Sequence, residues 1–451
     1  MSRLMVGVSG VRGIVGETLT AEVARNFGRA FATMLGAGKT IALGRDTRVS
    51  GPMIRDALTG ALTAGGVNVV DLGVVSTPGV ALMIQRLGAD GGIVVTASHN
   101  PAPYNGIKFM TPRGLNLPAE QAQRLKQTWE SGKFAAAPAP GRVTRDGRTH
   151  ELHVAAACGI VDVPAIAGRK FKVVLDSING AGGAAGAMLL RKLGCDLIQI
   201  NGEPTGEFAH EPEPTAENMM QLCEAVRESG ADVGFGQDPD GDRLVIVDEK
   251  GRFIGEEYTL TLTGRFLLRQ RKGDLATNLS TTRMMDDVAA EAGVTLHRTP
   301  VGEAHVAARM IEKGCVFGGE GNGGVMDPRV VLVRDSFVGM ALMLNCLSES
   351  GRAVSGLVDE LPRYEMLKEK FTCPQNAAAK ILAAVKRALA CRPGAKLNEE
   401  DGLRVDLPAA WVHVRASNTE PIMRITAEGT PGGAARALAD DVRKIAEEML
   451  G

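Results

Sequence analysis

Apolar runs of strand length alternate with amphipathic, helix-length stretches along most of the chain, and the alternation repeats three times. Each round predicts a first strand, at 40–43, 171–175 and 275–278, followed by a polar or Gly-rich turn (GRDTRVSG, DSINGAGG, LSTTR) and a helix. Second strands are expected at 67–72, 195–200 and 294–298. The third strands, 92–95, 231–235 and 315–317, run into TASHNP, DPDGDR and GGEGNGG. Strands alternating with helices predict mainly parallel sheets covered on both faces. Ligands of such sheets sit beyond the carboxyl ends of the strands. Three equivalent strand ends carrying three chemically different loops therefore locate the expected site.

From about residue 366 the pattern changes. A helix over 377–389, a strand over 411–414, the loop RASNTEP, a strand over 422–427 and a closing helix from Gly433 predict a small α+β unit. The expected fold class is thus α/β, with three similar α/β domains, mainly parallel sheets and a smaller C-terminal α+β domain. Length alone, at roughly 150 residues per domain, suggests about three domains, while the pattern sets four, with expected boundaries 1–150, 151–252, 253–365 and 366–451. The Ala/Pro stretch 135–140 and the acidic run 210–214 read as loops.

Composition narrows the classes. Fifty-six glycines with only 4% aromatics suit a loop-rich protein whose backbone approaches a ligand, and argue against base stacking on nucleic acid. A net charge of -1 supplies no global field toward nucleic acid or an anionic membrane, so anion binding falls to local basic loops. No run approaches the roughly 18 apolar residues of a membrane span, and residues 1–10 lack a long apolar core, so a cytoplasmic protein is expected. The seven cysteines are odd in number and form no C-x-x-C pair, which reads as scattered reduced thiols rather than metal ligands.

In DPDGDR, Asp238, Asp240 and Asp242 alternate, and the turn allowed by Pro239 and Gly241 converges three carboxylates. Such a group repels itself unless a hard divalent cation such as Mg²⁺ joins it. Arg243 adds a fixed positive charge. The plain alternative is a solvated acidic turn. An EF-hand is rejected, because Arg243 stands where the loop needs Gly and a strand-like run follows. An apolar strand followed by Asp-x-Asp-Gly also suits a haloacid-dehalogenase-type phosphatase with Asp238 as nucleophile, although Asp242 is out of place there.

TASHNP places Ser98 and His99 at a strand end. A phosphorylated Ser98 would bring nearly two negative charges and an oxygen ligand for the cation. RASNTEP offers Arg415, Ser417, Asn418 and Thr419, with Arg424 nearby, as a guanidinium, hydroxyl and amide set for a phosphate dianion. GVSGVRG puts Ser9 and Arg12 in a Gly-rich turn that is no Walker loop, so nothing points to ATP. Glu320 and Asn322 suit sugar hydroxyls, with glycines allowing close approach. Lys108 is a candidate general acid or base whose pKa a cationic cluster would depress, and His305 reads as structural.

The ordered set TASHNP, DPDGDR, GEGNGG and RASNTEP resembles the α-D-phosphohexomutase superfamily over essentially the whole chain. That resemblance implies four domains around a central cleft, Ser98 as phosphoserine, and Ser98, Asp238, Asp240 and Asp242 as ligands of one Mg²⁺ per chain. It implies Arg12, His99, Lys108 and Arg243 as active-site basic residues, with Lys108 or His99 handling the hydroxyl proton. Glu320 and Asn322 become the sugar-reading pair, and Arg415, Ser417, Asn418 and Thr419 the phosphate loop. The implied reaction interconverts hexose 6-phosphate and hexose 1-phosphate through a hexose 1,6-bisphosphate, which also serves as activator. The implied partner is a small hexose phosphate, not nucleic acid or membrane, for a monomer or homodimer. Several branches end the sugar loop in Ser-Gly-His, whereas this chain has Asn322-Gly323-Gly324. Glucosamine phosphate is the expected substrate, with mannose and glucose phosphates the alternative. A binding protein that lost turnover is the non-catalytic alternative.

Overall fold

The computed structural model describes residues 4–7, 10–417 and 421–450. Four sheets organise these residues, and the first three share one core arrangement. In the first, the strands run Tyr104–Met110, Gly91–Val95, Thr40–Arg45, Asn68–Val74 across the sheet. The second repeats this as Leu244–Val247, Val233–Gln237, Lys172–Asp176, Asp196–Ile200, and the third as Gly324–Met326, Phe317–Glu320, Leu275–Asn278, Leu296–Thr299. Three strands of each set are parallel, and the outermost turns back antiparallel on its neighbour. That returning strand, absent from the sequence expectation in the first and third rounds, turns each strand end into a hairpin. TASHNP, DPDGDR and GEGNGG are the three hairpin loops.

The third strands Gly91–Val95, Val233–Gln237 and Phe317–Glu320 are buried throughout, as strands covered on both faces must be. The helix Ser336–Ser350 is buried along almost its whole length, which its nearly uninterrupted apolar sequence requires. Its N-cap Asp335 accepts from the amides of Phe337 and Val338 and pairs with His153 at 2.6 Å. One large core cluster runs from Ala42 and Val94 through Leu175 and Phe235 to Phe317 and Leu342, so the first three sheets share buried contacts.

The fourth sheet is antiparallel, in the order Glu365–Thr372, Ile422–Gly429, Ala410–Ala416, Leu403–Asp406, Lys396–Asn398, packed under the helices Gln375–Ala390 and Ala434–Leu450. The sequence pattern predicts only two of its five strands, because the others are polar and short or half-exposed. All seven cysteines are free, four of them buried. Among the described residues no single helix is long and apolar enough to cross a membrane.

Candidate active site

Ser98 occupies the left-handed region at φ 49°, a conformation that costs a non-glycine residue free energy and marks a loop held by its surroundings. The holder is Arg48, buried beneath the loop. Its Nη1 donates to the carbonyls of Pro101 (3.0 Å) and Tyr104 (2.8 Å), and its Nη2 to those of Ser98 (2.7 Å) and Asn100 (2.5 Å). Arg48 Nε reaches Asp46, which also accepts from Thr96 Oγ1 at 2.6 Å. Thr96 in turn accepts the Ser98 amide at 2.8 Å.

Thus fixed, Ser98 Oγ donates to Asp238 Oδ2 at 2.9 Å, joining the first and second hairpin loops. Asp238 Oδ1 accepts the amides of Asp242 and Arg243, both at 3.0 Å, which folds DPDGDR around that carboxylate. Asp240 Oδ2 accepts from Thr77 Oγ1 (2.5 Å) and Lys108 Nζ (2.7 Å). Thr77 opens the helix Thr77–Leu87, whose positive N-terminal end therefore faces Asp240. Lys108 also lies 3.4 Å from Asp242 Oδ2.

Carboxylate oxygens of Asp238, Asp240 and Asp242, all buried, lie within 4.8 Å of one another. Burial, with Asp242 and Asp240 adding to it, pushes Asp238 well above the usual carboxylate range. Burial acts the same way on Asp240, but Lys108 and the hydrogen bonds outweigh it and lower that carboxyl. Asp240 Oδ1 and Asp242 Oδ1 are buried without any hydrogen-bond partner. Three crowded carboxylates with two oxygens unused make an all-oxygen donor set that fits a hard divalent cation.

The basic candidates gather here. His99 Nδ1 is 3.4 Å from Ser98 Oγ, and its Nε2 is 3.5 Å from Arg243 Nη2. Burial first, then Arg243, Arg12 and Arg334, lower His99 well below 6.5, so the imidazole is held neutral. Arg12 donates to Asn100 Oδ1 at 2.9 Å. Lys108 behaves opposite to expectation. Burial would lower it, but Asp240 and Asp242 prevail and its pKa is raised, because its nearest charges are carboxylates rather than cations.

In the third loop, Glu320 Oε1 accepts from Asn278 Nδ2 (2.8 Å) and the Gly302 amide (3.0 Å), and Oε2 from Arg334 Nη1 (3.0 Å). Asn322 Oδ1 is buried and unpartnered. The loop glycines serve neighbouring side chains. A Cβ on Gly321 would lie 1.8 Å from Glu257 Oε2, and one on Gly324 would lie 2.2 Å from Arg334 Cδ. Arg415 stands apart in the fourth sheet, ion-paired with Asp401 at 3.1 Å and cross-strand from the exposed Arg424. Ser417 directly follows the same strand, while Ser9, Asn418 and Thr419 lie outside the described residues. His305 is exposed on its helix.

The sequence reading missed Arg48, Glu257, Glu303 and Arg334. None carries a local motif, since each acts on residues distant in sequence. The glycines of GEGNGG are the one signal that side chains must pass close by.

Segments 3–136, 151–251, 255–364 and 368–445 match the phosphoglucomutase/phosphomannomutase alpha/beta/alpha domains I, II and III and the C-terminal domain. The chain is 39% identical over 450 residues to a Methanopyrus kandleri protein named "Probable phosphoglucosamine mutase", covering 98% of each. It is also 39% identical over 454 residues to a Thermococcus kodakarensis protein named phosphoglucomutase/phosphomannomutase, covering 99% of each. The crystal structure of a phosphoglucomutase/phosphomannomutase family protein from Burkholderia thailandensis superposes with TM-score 0.87 at 30% identity, over 99% of this chain and 98% of that one.

Proposed function

The chain belongs to the phosphoglucomutase/phosphomannomutase family and is a phosphohexomutase, an isomerase acting on hexose phosphates; from that premise we propose that Ser98 is its phosphorylated nucleophile and glucosamine phosphate its preferred substrate. The observation carrying this reading is the 2.9 Å contact of Ser98 Oγ with Asp238, within a carboxylate triad that has two oxygens to spare.

Asp238, Asp240, Asp242 and a phosphate oxygen on Ser98 would hold one Mg²⁺. When bound, such an ion offsets the negative charge that builds on a transferring phosphoryl group. Phospho-Ser98 gives its phosphoryl group to the free hydroxyl of the substrate. The bond to Ser98 Oγ breaks as the new phosphorus–oxygen bond forms. The hydroxyl proton passes to His99, whose neutral ring can accept it, and His99 returns a proton to the Ser98 oxygen as that oxygen leaves. Lys108, candidate for the same task, keeps its own proton beside Asp240 and Asp242 and cannot take another. The resulting hexose 1,6-bisphosphate turns over, and its other phosphoryl group returns to Ser98. Added hexose 1,6-bisphosphate would act as activator by phosphorylating Ser98 anew. Arg12 and Arg243 hold the transferring phosphoryl group, Arg415, Ser417, Asn418, Thr419 and Arg424 the other phosphate, and Glu320 and Asn322 the sugar.

Four sheets and four matched segments support dividing the chain at 1–150, 151–252, 253–365 and 366–451. The proposal places the enzyme in the cytoplasm as a monomer or homodimer, without nucleic-acid or membrane partners. A phosphatase using Asp238 as nucleophile draws no support from the family matches, which align all four segments with phosphoglucomutase/phosphomannomutase domains.

One observation favours a second sugar reading. Glu320 already accepts from three donors, so a substrate ammonium would have to share it, and the uncharged hydroxyl of a glucose or mannose phosphate fits there at least as well. A Mg²⁺-dependent mutase assay on the 1-phosphates of glucosamine, mannose and glucose, with a trace of hexose 1,6-bisphosphate, tests the proposal. Dominant glucosamine turnover supports it. Equal or better turnover of mannose and glucose phosphates overturns the sugar assignment, and no interconversion of any overturns the whole reading.

A further inference from the structure

Arg334 lies between two loops that come from different sheets. Its Nη2 donates to Asp242 Oδ2 at 2.7 Å, and its Nη1 to Glu320 Oε2 at 3.0 Å. Its Nε and backbone amide both donate to Glu303 Oε2 at 3.1 Å. Glu303 begins the helix Glu303–Lys313 and accepts in addition from Asn116 at 2.8 Å. One guanidinium therefore reaches the acidic loop, the sugar loop and a helix start.

The backbone around it is anchored. Asp335, the next residue, donates its amide to Val325 at 2.8 Å, caps the helix Ser336–Ser350 and pairs with buried His153. The Arg334 stem crosses Gly324 where no Cβ would fit. With both ends fixed, the spacing between the Asp242 and Glu320 carboxylates is set by a rigid planar fork, which a flexible ammonium does not reproduce.

We infer that Arg334 is a positioning residue that sets the Glu320 loop against the acidic triad and moderates the triad's attraction for a cation; the inference rests on the phosphohexomutase reading above. On the acidic side it engages Asp242 Oδ2 and leaves Oδ1 unpartnered. On the sugar side it supplies the donor for the one Glu320 oxygen that Asn278 and Gly302 do not engage. Its positive charge lies against a carboxylate of the triad, where it opposes a second cation. Arg334 thus does two things of opposite sign: it improves sugar recognition and weakens ion binding. An arginine serving only to stabilise the fold would do neither separately.

The test uses the full-length protein, with Mg²⁺ affinity from calorimetric titration and KM for hexose phosphate at saturating Mg²⁺. Arg334→Met removes the charge and the fork, and is expected to tighten Mg²⁺ about threefold while raising KM about tenfold. Glu320→Gln breaks the same link but keeps the guanidinium, so KM rises and Mg²⁺ binding weakens. Arg334→Lys keeps the charge without the fork, so KM rises while Mg²⁺ affinity stays near that of the unsubstituted protein. Should Arg334→Met fail to fold, the other two variants still carry the test. Mg²⁺ affinity and KM worsening together in Arg334→Met, KM unchanged there, or Arg334→Lys restoring KM would each overturn the inference. Any of those results with phosphorylated Ser98 and intact wild-type turnover refutes the inference alone. Absence of Mg²⁺ uptake by the wild-type chain refutes both it and the proposed metal site.

Discussion

Two arginines, Arg48 buried and Arg334 partly buried, hold the two ends of this site in different ways. Arg48 sits under the Ser98 loop and spends both terminal nitrogens on backbone carbonyls. Arg334 sits between the acidic and Glu320 loops and spends its guanidinium nitrogens on carboxylates. Carbonyls do not titrate or bind Mg²⁺ in competition, so, the buried Asp46 beneath Arg48 apart, the conformation of the Ser98 loop depends less on charge. Carboxylates do both, so the Glu320 loop is sensitive to charge. A nucleophile profits from a fixed position, and a loop that reads substrate profits from a responsive one.

The largest effect belongs to the Ser98 loop. Ser98→Ala should lower mutase turnover about 10⁴-fold or more while leaving the fold intact, since it deletes the group that carries the phosphoryl; steady-state assay and circular dichroism check both halves. Next, Arg48→Met should destabilise the protein by about 3–5 kcal/mol in denaturant unfolding, because it strands buried Asp46 and frees four loop carbonyls. A loss below about 1 kcal/mol would mean the loop is held elsewhere.

The charge-sensitive side should reveal itself in pH. Burial, opposed by Lys368, pushes Glu257 beside Gly321 up to about 7 from an ordinary 4.5. The folded chain keeps this proton to about pH 7, whereas the unfolded chain releases it near 4.5. Stability therefore falls as pH rises through that window, by an order of 3 kcal/mol, and Glu257→Gln should flatten the slope. A slope unchanged in Glu257→Gln would assign it to another group.

Smaller effects follow from the glycines. Gly321→Ala should cost about 1–3 kcal/mol in thermal unfolding, because the added methyl meets Glu257. By contrast Gly60→Ala, in the helix Gly51–Ala64 with nothing near its Cβ, should stabilise by about 0.5–1 kcal/mol.

The same contrast explains what the sequence reveals. The three strand repeats are legible because apolar runs end in turn motifs, whereas their order across each sheet, third strand beside first beside second, is set by packing that no local pattern carries. DPDGDR is legible because its three carboxylates are neighbours along the chain. Three strands of the fourth sheet escape because Glu365–Thr372 alternates irregularly and Lys396–Asn398 and Leu403–Asp406 are short and carry charges. Arg48 and Arg334 escape because their partners lie about 50 and up to 92 positions away, where no spacing rule applies. The direction of the Lys108 shift also depends on contacts across sheets, 132 positions apart, that no local reading supplies.

The central claim is that Ser98 carries the phosphoryl group. Peptide mapping of freshly purified, full-length protein by mass spectrometry tests it most directly. An acid-stable phosphate on Ser98 is predicted, lost only as excess hexose 1-phosphate carries hexose 1,6-bisphosphate off the enzyme and restored by adding that bisphosphate. A hydroxylamine-labile phosphate on Asp238, with Ser98 unmodified throughout turnover, would contradict it.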